Sequence, residues 1–317
     1  MLHLVLRSRG IIEPGQAKGS IRARSWNSRL ILAFVQLSVA LAAVALVGWI
    51  WFHNRTRPAP LTESPFVGVV HTRAILDSPR PLIVHLVRID LDAPGIGFFV
   101  TPGDPAAELP LTARTPSDFL AEFHLQIAVN GDFFSPWYSH NPVSFYPHRG
   151  DPVAVDGYAC SAGTRYGKIK NASERTLRFS KSERPSFTLP LDEAWNAVSG
   201  EMLLDDGEVK IASFHDVTRI HPRTAVGLDR LETELFLVVV DGRQPGYSEG
   251  VTLPELARIL LDAGAWSALN LDGGGSTALV MEGEPDRAIV LDSPIHTRIP
   301  GRERPVANHL GIRAQRR

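Results

Sequence analysis

Leu235-Phe-Leu-Val-Val-Val240, followed at once by Asp241-Gly242, is the stretch that decides the fold. It is apolar throughout, which predicts a central strand covered on both faces. In Val87–Asp92 the apolar Val87, Ile89 and Leu91 instead alternate with Arg88, Asp90 and Asp92, the period of a half-buried strand. Asp156-Gly157 and Asp206-Gly207, each between apolar residues, read as hairpin turns. The domain is therefore built on sheets.

Helices enter in a repeated order. Thr115-Pro116 opens a short helix through Phe123, and the apolar run Leu125–Val129 stops at Asn130-Gly131. Thr252 and Glu255 form a capping-box pattern for a helix to about Asp262, followed by Trp266–Leu271 and Asp272-Gly273. The expected class is α+β, a mixed β-sheet domain with flanking helices, and the recurrence suggests two related halves. Three predicted strands end in Asn130-Gly131, Asp241-Gly242 and Asp272-Gly273. Such steps turn chains, and they also gather polar groups at one sheet edge.

Composition bounds the function. With 317 residues, 44% hydrophobic, the chain is too apolar for disorder and too long for a disulfide-stapled miniprotein. A formal charge of -1 provides no global basic field, so nucleic acid is not an expected partner. The lone Cys160 excludes an intramolecular disulfide and any multi-cysteine metal site.

Leu30–Phe52 carries no charge, and as a helix it is about 34 Å long, enough to span a bilayer core. Arg7, Arg9, Lys18, Arg22, Arg24 and Arg29 precede it with only Glu13 to offset them, which predicts a cytoplasmic N-terminus. A cleaved signal peptide would have a shorter apolar region of about 7–15 residues. The expected organisation is a basic tail (1–29), a transmembrane helix (30–52), a Pro-rich linker (53–65) and an exported domain (66–317) in the periplasm or outside the cell. Lysine is scarce beside arginine, which favours a bacterial source. Asn54-Arg-Thr56 and Asn171-Ala-Ser173 are short glycosylation sequons that arise readily by chance.

Asn270-Leu-Asp-Gly-Gly-Gly-Ser-Thr277 is the most specific local pattern. Three glycines after a buried strand cost conformational entropy, and their amides can form a nest for an anion. The Gly-Lys-Ser/Thr ending of a nucleotide P-loop is missing. Gly274–Ala278 comes close to the nucleophile elbow of serine hydrolases, with Ser276 as nucleophile. However, Ala278–Met281 predicts a strand where an elbow needs a helix. Arg223, in His221-Pro-Arg-Thr-Ala-Val-Gly227, suits a bidentate grip on phosphate or carboxylate, or a structural salt bridge. His215 and His221 match no metal-ligand spacing, so neither a metal site nor a cofactor is predicted.

Taken in order, several motifs resemble the phosphodiester glycosidase family, which includes many bacterial envelope proteins. They are Asn130-Gly-Asp-Phe-Phe134, Val198-Ser-Gly200 with Leu203-Leu204 and Asp206-Gly207, Pro222–Gly227, Asp241-Gly-Arg243, Asn270–Ser276 and Arg304-Pro-Val-Ala-Asn308. The resemblance covers roughly residues 80–315. It departs at Asp132, where the family often has Gly, at Glu201, and in the aromatic stretch Ser135–Gly163, whose rings could stack on sugars.

The resemblance implies hydrolysis between a sugar anomeric carbon and a phosphodiester. Arg223 and the Gly273, Gly274 and Gly275 amides would hold the phosphodiester. Asp272 would stabilise the oxocarbenium-like centre, activate water or attack, with Glu201 and Asp241 as possible partners. Asn130, Asp132, Ser276, Arg304 and Asn308 would contact the substrate. Asn130 could equally be a turn residue, and Arg304 a salt-bridge partner. Two rivals stand beside this reading. One is a non-catalytic binder of phosphate-linked glycans, the other a serine esterase using Ser276 and His309. An anchored domain outside the membrane would meet envelope polysaccharides, exopolysaccharide among them, and lipid-linked phosphosugars in a bacterium, or lumenal glycoproteins in a eukaryote.

Overall fold

A computed structural model describes residues 20–167, 174–211, 217–283 and 287–317. The basic tail up to Gly19, the Asn171 sequon and His215 lie outside them. Helix α1 (Ser20–His53) contains one stretch, Ser28–His53, that is long and apolar enough to cross a membrane, with mean hydropathy 2.7. The chain divides into two compact units, residues 1–51 and 52–317.

The second unit is built from sheets, as the apolar strand predicts. Its larger sheet begins with the meander β1 (Leu61–Phe66), β2 (Val69–Leu76) and β3 (Leu82–Asp90). The other sheet begins at its edge with β4 (Gly97–Val100), then takes α2 (Pro116–Glu122) on its outer face and β5 (Ile127–Asn130) at its centre. Strands β6 (Glu174–Phe179), β7 (Asn196–Asp205), β8 (Arg223–Leu228) and β9 (Glu234–Val240) return to the larger sheet. Helix α3 (Leu253–Ala263) leads into β10 (Ser267–Asn270) of that sheet. Strands β11 (Leu279–Glu282), β12 (Ala288–Val290) and β13 (His309–Arg313) complete the smaller one. The larger sheet runs β1-β2-β3-β9-β8-β10-β7, and the smaller β12-β11-β5-β13-β4; all of these pairings are antiparallel.

Within β9, Leu235–Val240 is apolar throughout because it has no wet face. Leu235, Leu237 and Val239 join a core with Ile127, Val129, Leu279, Leu310 and Ile312 of the smaller sheet. Phe236, Val238 and Val240 pack instead with Leu253, Leu256 and Leu260 of α3. Those leucines sit at helical spacing on one face, and each buried side chain contributes about 1.5–3 kcal/mol. On the far side of the smaller sheet, Phe119 and Leu120 of α2 cover Ala128 and Val280. The layers are therefore helix, sheet, sheet, helix.

Both helices begin where the sequence places them. Thr115 with Asp118, and Thr252 with Glu255, form complete capping boxes, each with Pro in the first turn. Each helix leads into a strand whose last residue is Asn, Asn130 in β5 and Asn270 in β10. The two units thus share an order while belonging to different sheets.

Asp206-Gly207 is a tight hairpin turn, with φ of 52° and 77°, pairing Asp205 with Glu208. Asp156-Gly157 is not a hairpin. The strand before it, Pro152–Val155, pairs with Phe134-Ser135 and Leu111-Thr112, while Cys160-Ser161 after it joins the larger sheet. The linker is also shorter than the prolines suggest. Residues 61–65 already belong to β1, and Arg55 donates to Gln244 and Ser293 of the folded domain.

Candidate active site

The polar steps converge at the rim where the two sheets meet. Arg223 opens β8 opposite Val240, so the first residue of one strand lies beside the end of the next. Asn270 ends β10, paired with both Ala225 and Glu201. Beyond it, the Asp272 amide donates to the Gly131 carbonyl at 3.0 Å, joining the rim of the larger sheet to the turn after β5.

Asn270–Thr277 bends tightly because two guanidinium groups lie against it. A Cβ on Gly274, at φ +65°, would collide with the Arg243 guanidinium, and one on Gly275 would collide with that of Arg304. A Cβ on Gly273 would sit 2.9 Å from the Pro222 carbonyl and 3.7 Å from Arg223 Cδ. The Pro222 carbonyl leaves no room for a Cβ at Gly273, positive φ favours glycine at Gly274, and a methyl at Gly275 would displace the Arg304 guanidinium. Two of the three amides are engaged within the fold: Gly273 donates to the Asp272 carboxylate at 2.7 Å, and Gly274 to the Pro222 carbonyl at 2.9 Å. The cationic groups at this bend are the guanidinium groups of Arg243 and Arg304.

Asp272 lies among them, partly accessible to solvent. Burial pushes its carboxyl above the usual range, against the pull of a Ser276 hydrogen bond, Arg304, the Gly273 amide and Arg243. Arg304 donates to Ser276 Oγ at 3.1 Å, so Ser276 relays between the guanidinium and the carboxylate. Burial lowers Arg223, while the charges of Glu201 and Asp272 raise it, which places Arg223 near both acids. Arg243 is lowered by desolvation and then by the like charges of Arg304 and Arg223. Three cations against two carboxylates leave positive charge that an anionic ligand would neutralise.

Two histidines complete the surroundings. Desolvation, then Arg243, Arg223 and Arg219, lower His221 to about 4; its Nδ1 faces Arg243 Nε at 3.4 Å. Burial and Arg304 lower His296 to about 3, and Arg304 Nε donates to its Nδ1 at 3.2 Å. Both rings are therefore neutral at pH 7, and His296 carries its proton on Nε2.

Other residues expected to touch substrate make bonds within the fold. Asn130 is fully buried: its Nδ2 donates to the Asp272 carbonyl, and its Oδ1 accepts from Thr224 and the Ala278 amide. Buried Asn308 accepts from the Asp132 amide, and Asp132 Oδ1 accepts from the Ser199 amide at 2.9 Å. Glu201, on β7, accepts from Asn270 at 3.2 Å, beside Arg223.

Asp241 belongs to another setting. Its Oδ1 accepts from the Ser293 amide at 2.7 Å, and its charged neighbours are Asp292, Arg55 and Arg73. It does not join Asp272. The esterase arrangement is not formed either: His309 is fully buried, with Nδ1 on Thr101 and Nε2 on the Arg114 carbonyl, and Ser276 is followed by strand β11. Among the described residues, no three His, Cys, Asp or Glu side chains are placed to hold a metal ion.

Sequence reasoning gave Arg243, His221, His296 and Trp137 no part in an anion site. Arg243 follows Asp241-Gly242 at φ 58°, a backbone that an Asp-Gly-Arg turn could have signalled. Trp137, 56% exposed, lies over the Arg304 guanidinium at 5.1 Å, so the aromatic stretch does reach the site.

The sequence profile of the phosphodiester glycosidase family matches residues 123–313, more than half of the chain. No curated protein matches the sequence. Among solved structures, the chain is similar in fold to the catalytic domain of zebrafish N-acetylglucosamine-1-phosphodiester alpha-N-acetylglucosaminidase, auto-inhibited by its pro-peptide. The identity is 22% and the TM-score 0.53, over 84% of this chain and 86% of that one. A hypothetical protein from Synechocystis shares 16% identity at a TM-score of 0.53, over 81% of this chain; the match spans 64% of that protein's length. A putative exported protein from Burkholderia pseudomallei shares 16% at 0.51, over 75% of each. The chain belongs to the phosphodiester glycosidase family.

Proposed function

We propose that this member of the phosphodiester glycosidase family is a membrane-anchored, extracytoplasmic hydrolase cleaving the bond between a sugar anomeric carbon and a phosphodiester. The observation that carries the reading is the convergence of Arg223, Arg243 and Arg304 around Asp272. Fixed guanidinium groups suit a phosphodiester, and they suit even better the second negative charge that appears when its sugar oxygen departs.

Cleavage adds water across the anomeric C–O bond. The carbon gains the water oxygen, the bonding pair stays on the phosphate, and a proton is lost from the water. A phosphate monoester is a good leaving group, so general-acid help matters less than charge stabilisation. Asp272, held by Ser276 and the Gly273 amide, stands beside the developing cationic carbon, as a base for water or as nucleophile. Glu201 sets the charge on the far side of Arg223.

The apolar helix supports a single-pass anchor, and the basic residues before it support a cytoplasmic N-terminus. Envelope glycans or glycoconjugates are then the substrate class. Incubating the full chain in detergent with a panel of sugar-1-phosphodiesters should release free sugar. Saturable binding without release would favour the glycan-binder reading instead.

A further inference from the structure

The chain enters its folded domain almost immediately after the apolar helix, beside the arginine cluster. An ideal Cβ on Gly246 would lie 3.2 Å from the His53 carbonyl. Two residues on, Arg55 donates to Gln244, bonds Ser293 Oγ at 3.1 Å and stacks on the Tyr247 ring at 4.0 Å. Gln244 directly follows Arg243, whose guanidinium lies against Gly274. One short loop therefore carries both the anchor point of the chain and a cation of the site. From His53 to Arg55 the chain spans at most about 7 Å, so the tether between the apolar helix and the first bond to this loop is short.

The loops around the cluster expose apolar and basic side chains together. Val143 is 83% exposed, and Ile220 and Ile299, beside His221 and near His296, are 41% and 39% exposed. Arg219 and Arg298, adjacent to those isoleucines, are exposed too. Apolar residues interleaved with arginine suit the boundary between acyl chains and anionic headgroups.

We propose that the substrate is lipid-linked, a sugar-1-phosphodiester whose second ester carries a long-chain membrane alcohol, taken from the bilayer in which the enzyme is anchored. This rests on the glycosidase reading and narrows it. Hydrolysis releases free sugar and leaves a phosphate monoester on the lipid. A soluble diester would gain nothing from the short tether, whereas a substrate confined to the same surface gains effective concentration.

The test uses the full chain reconstituted in phosphatidylglycerol-containing vesicles, with matched diesters of one sugar: a methyl ester in solution and a polyprenyl ester in the vesicles. A twelve-residue Gly/Ser insertion between His53 and Asn54 has an r.m.s. span of about 20 Å. It should lower turnover of the polyprenyl ester at least about fivefold and leave the methyl ester within about twofold. The pair Val143→Glu and Ile299→Glu should act in the same direction while leaving the methyl ester unchanged. Equal turnover of the polyprenyl ester with and without the insertion, or cleavage of the methyl ester alone, overturns the lipid-linked assignment and leaves the glycosidase reading intact. Cleavage of neither ester overturns both.

Discussion

Two carboxylates follow strands at one edge of the larger sheet, Asp241 after β9 and Asp272 after β10, and their surroundings are opposite. Asp272 stands among Arg243, Arg304 and Arg223, with Ser276 and an amide donating to it. Asp241 is buried against a second acid, Asp292; desolvation is the largest influence on it and raises it to about 7. A carboxylate set among cations can act on a neighbouring positive centre. Two buried acids side by side favour a shared proton, which suits a structural role. Position at a strand end thus brings an acid to the rim, and its neighbours decide what it does there.

The comparison breaks first at Asp272. Asp272→Asn and Arg223→Ala should each reduce sugar release at least about a hundredfold, with circular dichroism and melting temperature close to the parent. Near-normal turnover in either variant would take that residue out of the chemistry.

Ser276→Ala sharpens it. Losing the relay between Arg304 and Asp272 should cost about tenfold in turnover, and an organophosphonate should label neither protein. Labelling of the parent at Ser276, lost in the variant, would restore the esterase reading.

The smallest effect on turnover belongs to Asp241→Asn, which should stay within about twofold of the parent. Stability should separate the two proteins instead. Asp241 holds its proton to higher pH when folded than when unfolded, so ionisation opposes folding once pH exceeds the unfolded value of about 4. The variant's melting temperature should therefore gain on the parent's as pH rises from about 4 to about 7, and be nearly level with it below. A gap that narrows over that range would show that Asp241 is charged and paired in the folded protein.

Much of the architecture is legible because it depends on local pattern. Leu235–Val240 announces a strand with two dry faces, Thr115 and Thr252 mark helix starts, and Asp206-Gly207 sets a hairpin. The candidate site is legible in its centre, where Arg223 lies against Gly273 and near Asp272. Its other members depend on contacts far apart in sequence. Asn130 gives no local sign of its bonds to Thr224 and the Ala278 amide. Arg243 resembles part of a turn until Gly274 meets its guanidinium. Asp156-Gly157 has the composition of a hairpin, but the strands on either side join different sheets, which local composition does not encode.

The bare backbone at Gly274 and Gly275 serves as a bearing surface for two flat charged groups. A single added methyl at residue 275 would act as a wedge, levering Arg304 away from Ser276 and loosening Trp137 above it. Every reactive side chain would remain, in the wrong place. Two residues that possess no functional group therefore help to position the cations of this protein's candidate site.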